Sequence, residues 1–163
     1  MTARAQHQRM SPFAVSALAA LGIGFIDGLL TRPGSWSAAL IKPQWQPPAW
    51  VFGAVWTIVI CFVALAAAVA WKELANGEDR KWLLCLLSIN AAFNIVWSPL
   101  FYMLRRPDLA AVDIALLWIS IGACIVFLVP RAPNAALLFA PYLVWITIAA
   151  ALNVEIVRLN APF

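Results

Sequence analysis

The feature that most constrains this chain is the recurrence of long apolar runs. Residues 12–30, 49–71, 82–104, 109–129 and 134–159 each offer about 20 mostly apolar side chains, enough to cross a bilayer as helix. Lipid supplies no hydrogen-bond partners, so runs of this length must satisfy their backbone internally, and helix is the default. The chain is 64% hydrophobic and only 11% charged, against about 25% charged residues in a typical soluble domain. One soluble core of 163 residues has no room to hide that much apolar surface. The fold class expected is therefore an all-α membrane protein, a bundle of five transmembrane helices forming one domain over residues 1–163. Apart from the segment 31–48, the links are short, so neighbouring helices should run antiparallel. The small triplet Ala17-Leu18-Ala19 comes too early to end a signal-peptide core, and the first run reads as a retained helix.

Charge and reactive side chains exclude several functions. The net charge of +4 is spread in ones and twos between the runs, as bilayer headgroups favour, and no basic cluster suits nucleic acid. Arg4, Arg9, Lys72, Arg80, Lys81 and Arg131 fall on one side, and Arg32, Lys42, Arg105, Arg106 and Arg158 on the other, which leaves orientation open. Cys61, Cys85 and Cys124 lie inside apolar runs without ligand spacing and read as small hydrophobes. His7 stands alone in the polar N-terminal stretch, so no metal site and no required cofactor are expected.

Tryptophan placement separates two roles. Trp36, Trp71, Trp82 and Trp45 sit where runs begin or end, as interfacial indoles do. Trp56, Trp97 and Trp145 lie at least a turn inside, where an indole N–H needs a partner other than bulk water. On the third run Asn90, Asn94, Trp97 and Phe101 recur at i, i+4, i+7 and i+11 and share a face. Tyr142, Trp145, Ala149, Leu152 and Ile156 stripe the fifth, with Asn153 at the edge, and Phe52, Trp56, Val59, Ile60 and Val63 the second. Such faces fit either a pocket for a flat, mostly apolar ligand or ordinary interhelical packing with Asn and Trp hydrogen-bonding across helices. In the first loop Pro43, Pro47 and Pro48 remove donors and fix φ, stiffening a lid that loses little entropy on closing.

Asp27 and Asp113 lie near the ends of their runs. A carboxylate at membrane depth is a functional candidate, but pairing with Arg32 or Lys42, and proximity to the Arg105-Arg106 surface, are the expectations here. Glu155 and Arg158 read as an i, i+3 ion pair. Ala20, Gly24 and Gly28 permit close helix approach, within one bundle or between protomers, with a thinner version at Ser88 and Ala92.

The segments "IKPQWQPPAWVFGAVWTIVI", "NAAFNIVWSPLFYML" and "PYLVWITIAAALNVEIVRLN" resemble, in order and spacing, the signatures of the TspO/MBR family, the tryptophan-rich sensory and translocator proteins. The resemblance implies a five-helix bundle, commonly a homodimer, with a pocket lidded by loop 31–48. It implies ligands such as protoporphyrin IX, haem and sterols. Position by position, it implies that Trp56, Asn94, Trp97 and Trp145 face the ligand, that Ala149 must stay small, and that Trp36 closes over the pocket. Trp45 and Trp50 would offer further apolar planes, and Lys42 either meets a propionate or anchors to headgroups. With the helix faces above, the candidate ligand-binding set is Trp36, Trp45, Trp50, Phe52, Trp56, Asn90, Asn94, Trp97, Phe101, Tyr142, Trp145, Ala149 and Leu152. Two departures matter: Ile60-Cys61 replaces the common Leu-Tyr, and Val154 stands where animal members carry the Tyr of a sterol-recognition pattern, which lowers the expectation of sterol binding.

The function expected is tetrapyrrole binding for transport, sequestration or sensing by an integral multi-pass protein of a bacterial cell membrane. Its partners would be the ligand, the lipid bilayer and a second copy, with no nucleic acid. Two alternatives stand beside it. One is light- and oxygen-dependent porphyrin breakdown, implied by the resemblance, with Trp56 and Trp145 carrying the chemistry; otherwise no catalytic residue is expected. The other is a small proton-coupled exporter using Asp27 and Asp113.

Overall fold

The computed structural model describes residues 11–163; Arg4, His7 and Arg9 lie outside them. Five helical spans are long and apolar enough to cross a membrane, as the apolar runs require. Helix α1 covers Pro12–Leu30, capped by Ser11, whose hydroxyl accepts from the Ala14 N–H at 3.2 Å. A short helix α2, Ser35–Ala39, sits inside the first loop, and α3 runs from Ala49 to Glu73 behind Pro48 at its N-cap. Helix α4 spans Gly77–Ser98, α5 Pro107–Leu128, α6 Pro133–Leu138 and α7 Ala140–Asn160.

The helices outrun the apolar runs where polar residues cap rather than break them. The stretch 72–81 reads as a link in sequence, yet α3 continues to Glu73 and α4 starts at Gly77. Asn76 caps α4, its side chain accepting from the Asp79 N–H at 2.7 Å, and Glu78 and Asp79 complement the positive helix end. Proline shapes the other two boundaries. Pro99 has no N–H to give the preceding turn, and α4 passes into one π-helical turn, Pro99–Met103, closed by Leu104 N–H to the Pro99 carbonyl at 2.9 Å. Arg105 then takes a left-handed φ of 55° and ends the span. In the fifth span Pro141 likewise withholds a donor, and the helix breaks at Phe139 into α6 and α7.

Around the bundle α1 packs on α3 and α4, α4 on α5, α5 on α7, and α3 on α6 and α7, closing a ring. Outward positions such as Phe25, Val126 and Val144 are apolar and exposed, as lipid contact demands. At Gly24 an added Cβ would lie 2.7 Å from Ile60 Cδ1, so this glycine serves the α1–α3 contact within one bundle. One half of the interior is solid. Ala66, Ala70, Leu74, Leu83, Ile121, Cys124, Leu128, Ala132, Ala135 and Phe139 fill it with scarcely any exposed surface. The other half, toward the first loop, is hollow.

Candidate ligand cavity

The hollow half holds a cavity of about 640 Å³, within the few-hundred to one-thousand Å³ range of small-molecule sites. Helix α3 contributes Phe52, Gly53 and Trp56; the end of α4 and its π turn contribute Asn94, Trp97, Ser98, Phe101 and Tyr102. Helix α7 adds Trp145, Ile146, Ala149, Leu152, Asn153 and Ile156, and α5 closes the floor with Ile114 and Leu117. Gly24, Asp27, Gly28 and Thr31 line it from α1, while Pro33, Ser37, Leu40, Lys42 and Gln46 cover it from the loop.

The aromatic walls are held edge to face or stacked. Phe52 meets Trp145 at 5.6 Å and 70°, and Trp97 stacks on Phe101 at 5.0 Å and 25°. The deep indole of Trp97 has the partner it requires: its N–H donates to Asn153 Oδ1 at 2.9 Å, and Asn153 Nδ2 donates to the Pro107 carbonyl at 2.7 Å. This fixes both the ring and the amide.

Of the residues expected at a ligand site, Phe52, Trp56, Asn94, Trp97, Phe101, Trp145, Ala149 and Leu152 line the cavity. The others do not. Trp36 lies behind the wall, its ring edge-on to Phe101 at 6.0 Å. Trp45 in the loop and Trp50 in the first turn of α3 point outward, 52% and 74% exposed. Asn90 and Tyr142 are buried one layer back in a relay. Asn94 Nδ2 donates to the Tyr142 hydroxyl at 3.0 Å, Tyr142 donates to Asn90 Oδ1 at 3.3 Å, and Asn90 Nδ2 donates to Ser120 Oγ at 2.9 Å. Ser120 ends the relay on the Leu117 carbonyl at 2.7 Å. The relay ties α4, α5 and α7 together.

Both acidic expectations are corrected. Asp27 makes no ion pair with Arg32 or Lys42 among the described residues: it lines the cavity and accepts from Ser98 Oγ at 2.6 Å. Arg32 instead donates to the Leu29 carbonyl at 3.1 Å. Asp113 does not reach the arginine surface. It is 5% exposed with Oδ2 lacking a hydrogen-bond partner among the described residues, and Arg106 pairs with Asp108 through Nε at 2.8 Å and Nη2 at 2.6 Å. Glu155 and Arg158 do pair, at 3.7 Å. The sequence reading overlooked Ser98, Thr31, Tyr102 and Gln46; only the helical spacing of Gly24, Asp27, Gly28 and Thr31 hints that they share a face.

A pair of hydrogen bonds clasps the lid to the end of α7. Ile41 N–H donates to Asn160 Oδ1, and Asn160 Nδ2 donates back to the Ile41 carbonyl, both at 2.8 Å. The last residue of α7 thus clasps the loop between the lining residues Leu40 and Lys42.

A ring of five spanning helices, solid in one half and enclosing an aromatic cavity under a loop in the other, defines a polytopic membrane protein with an intrabundle cavity. The TspO/MBR family model matches residues 14–159. The chain belongs to the TspO/MBR family. It is 35% identical over 143 residues to the tryptophan-rich sensory protein of Cereibacter sphaeroides, covering 88% of each chain. It is 37% identical to the tryptophan-rich protein TspO of Chlorobaculum tepidum, over 86% of this chain and 90% of the relative. It is also 34% identical to the human translocator protein, over 86% of this chain and 82% of the relative.

Proposed function

We propose that this protein binds tetrapyrroles such as protoporphyrin IX in the intrabundle cavity, holding them for transfer, sequestration or sensing. The observation that carries the reading is the wall of Phe52, Trp56, Trp97, Phe101 and Trp145 around a space of about 640 Å³. Flat apolar rings gain most from aromatic planes at fixed angles, where dispersion contacts form without reorganising the wall. Ala149, on the α7 wall, leaves room for such a ring, and the loop supplies a roof with one ammonium, Lys42. The relatives' names, sensory protein and translocator protein, accord with a role in sensing or translocation.

Titration of the purified protein in nanodiscs with protoporphyrin IX, read by quenching of tryptophan fluorescence against empty nanodiscs, tests the reading. Ala149→Phe is expected to abolish saturable quenching by filling the cavity. Trp56→Ala is expected to weaken affinity about tenfold, the worth of one well-packed aromatic contact. Saturable quenching of equal affinity in both variants overturns it.

A further inference from the structure

We propose an anionic phospholipid site at the end of the bundle opposite the lid, where Arg80 of α4 and Lys72 of α3, two cations held on aromatic rings, receive the phosphate of a lipid headgroup. The site is separate from the cavity and stands independently of the tetrapyrrole reading.

Charges at that end are unevenly matched. Of the chain's seven acidic side chains, Glu73, Glu78 and Asp79 stand at the α3–α4 connection. Asp79 pairs with Arg131 at 3.1 Å, Glu78 pairs with Lys81 at 3.3 Å, and Glu73 accepts from Asn134 at 3.0 Å. Arg80 and Lys72 form no ion pair among the described residues, and residues 1–10 contain no Asp or Glu. Both cations rest on rings instead. The Arg80 guanidinium carbon lies 5.2 Å from the Trp71 ring centroid, and Lys72 Nζ lies 4.2 Å from that of Phe13, in the first turn of α1.

Ring contact positions these charges without neutralising them. Arg80 Nε is enclosed with no hydrogen-bond partner among the described residues. The guanidinium is thus held by its flat face, which leaves its fork of donors for an incoming acceptor. A cation already held in place loses little freedom when an anion docks. Trp71 and Lys72 are successive residues of α3, so the two charges bracket its last turn, Arg80 from α4 and Lys72 toward α1. A phosphate suits this arrangement, since one anion offers oxygens to both a fork and an ammonium. Depth favours a lipid over a free ion. Trp71 ends the apolar run of α3, and Trp82, 56% exposed, follows Arg80 by two residues, as indoles at the headgroup level do. Further along the same two helices Leu65 and Leu84 expose apolar surface to acyl chains.

Native mass spectrometry of the full chain in detergent, titrated with phosphatidylglycerol or phosphatidylcholine of identical acyl chains, resolves each bound lipid and tests the site. Phosphatidylglycerol is expected to bind at least about tenfold tighter, since each interfacial cation adds about fivefold for an anionic lipid. Arg80→Gln and Lys72→Gln are each expected to lose about fivefold of that preference. Arg80→Lys, which keeps the charge but not the fork, is expected to lose about twofold. Lys81→Gln changes the net charge by the same amount as Arg80→Gln, but removes an exposed cation paired with Glu78; its effect is expected to stay under about twofold. Equal binding of the two lipids to the wild-type protein overturns the inference; that comparison needs no variant, so misfolding of Arg80→Gln does not shelter it. A loss in Lys81→Gln equal to that in a folded Arg80→Gln overturns it as well, because diffuse surface charge would then suffice. If inorganic phosphate displaces phosphatidylglycerol at comparable concentration, the occupant is a free anion and the lipid assignment fails.

Discussion

Tyr142 shows how much a single hydroxyl does behind a wall. Its ring supports Trp56 edge to face at 6.1 Å, while its hydroxyl joins Asn94 to Asn90. Tyr142→Phe keeps the ring and leaves a donor on Asn94 and an acceptor on Asn90 without partners. The expected cost is about 1 kcal/mol, at the low end for orphaned buried groups because interhelical hydrogen bonds in membranes are modest. A fall in melting temperature with the ligand affinity within about twofold of wild type checks it; an equal loss of affinity contradicts the placement of Tyr142 behind the wall. Asp113 presents the reverse case. Its enclosed Oδ2 lacks a partner among the described residues, so Asp113→Ala is expected to raise the melting temperature, by about 1 kcal/mol of stability. These residues also mark how far sequence reaches. Periodicity places Asn90 and Tyr142 on the same faces as Asn94 and Trp145, but spacing along a helix does not say which layer a residue occupies. Hydrogen bonding drew these two behind the cavity. Asp27 was misread for a related reason: nearby cations are visible in sequence, whereas its actual partner, Ser98, lies 71 residues away.

Elements were more legible than layers, because a span must be long and apolar whatever it packs against. The five runs located the five spans, and the errors fell where chemistry at the ends decides, at the Asn76 cap, the Pro99 π turn and the break before Pro141. The loop was read as a stiff lid from Pro43, Pro47 and Pro48, while α2 within it and the clasp onto α7 were not foreseen. That clasp makes its own prediction. Asn160 replaces a missing backbone pairing by bonding both the N–H and the carbonyl of Ile41. Asn160→Ala removes both bonds at once, and the lid should then open more often. Dissociation of bound protoporphyrin, followed by stopped-flow recovery of tryptophan fluorescence, is expected to accelerate severalfold with a smaller change in association, since loosening a closed state acts chiefly on the off-rate. The same dissociation rate in both proteins counts against the lid.

The whole molecule divides its labour along the membrane normal. Toward the α3–α4 and α5–α6 connections, small and branched side chains interlock without a gap: Ala66 and Ala70 of α3 meet the Ala132–Ala136 segment, backed by Leu128 and Phe139. Toward the first loop, the same helices diverge around the cavity, and stability there rests on polar relays and aromatic edges. Lipid offers apolar surface as readily as the interior does, so the solid half stabilises through close contact and shape, not through escape from water. The two halves should therefore fail separately. Leu128→Ala, whose side chain is fully buried in the solid half, opens a void and is expected to lower stability by about 1 kcal/mol or more, with the lost contacts as the cause. Its affinity for protoporphyrin should stay near that of wild type, because Leu128 is remote from the lining. Ala149→Phe acts in the opposite sense: it fills space that the native protein leaves open, so the melting temperature should hold or rise while saturable quenching disappears. Measuring melting temperature and affinity for both variants, in the same nanodiscs, gives a crossed pattern if the halves are independent. If Leu128→Ala loses affinity in proportion to its stability, the cavity has no rigid base of its own, and the division of the bundle into a solid anchor and a hollow receptor is wrong.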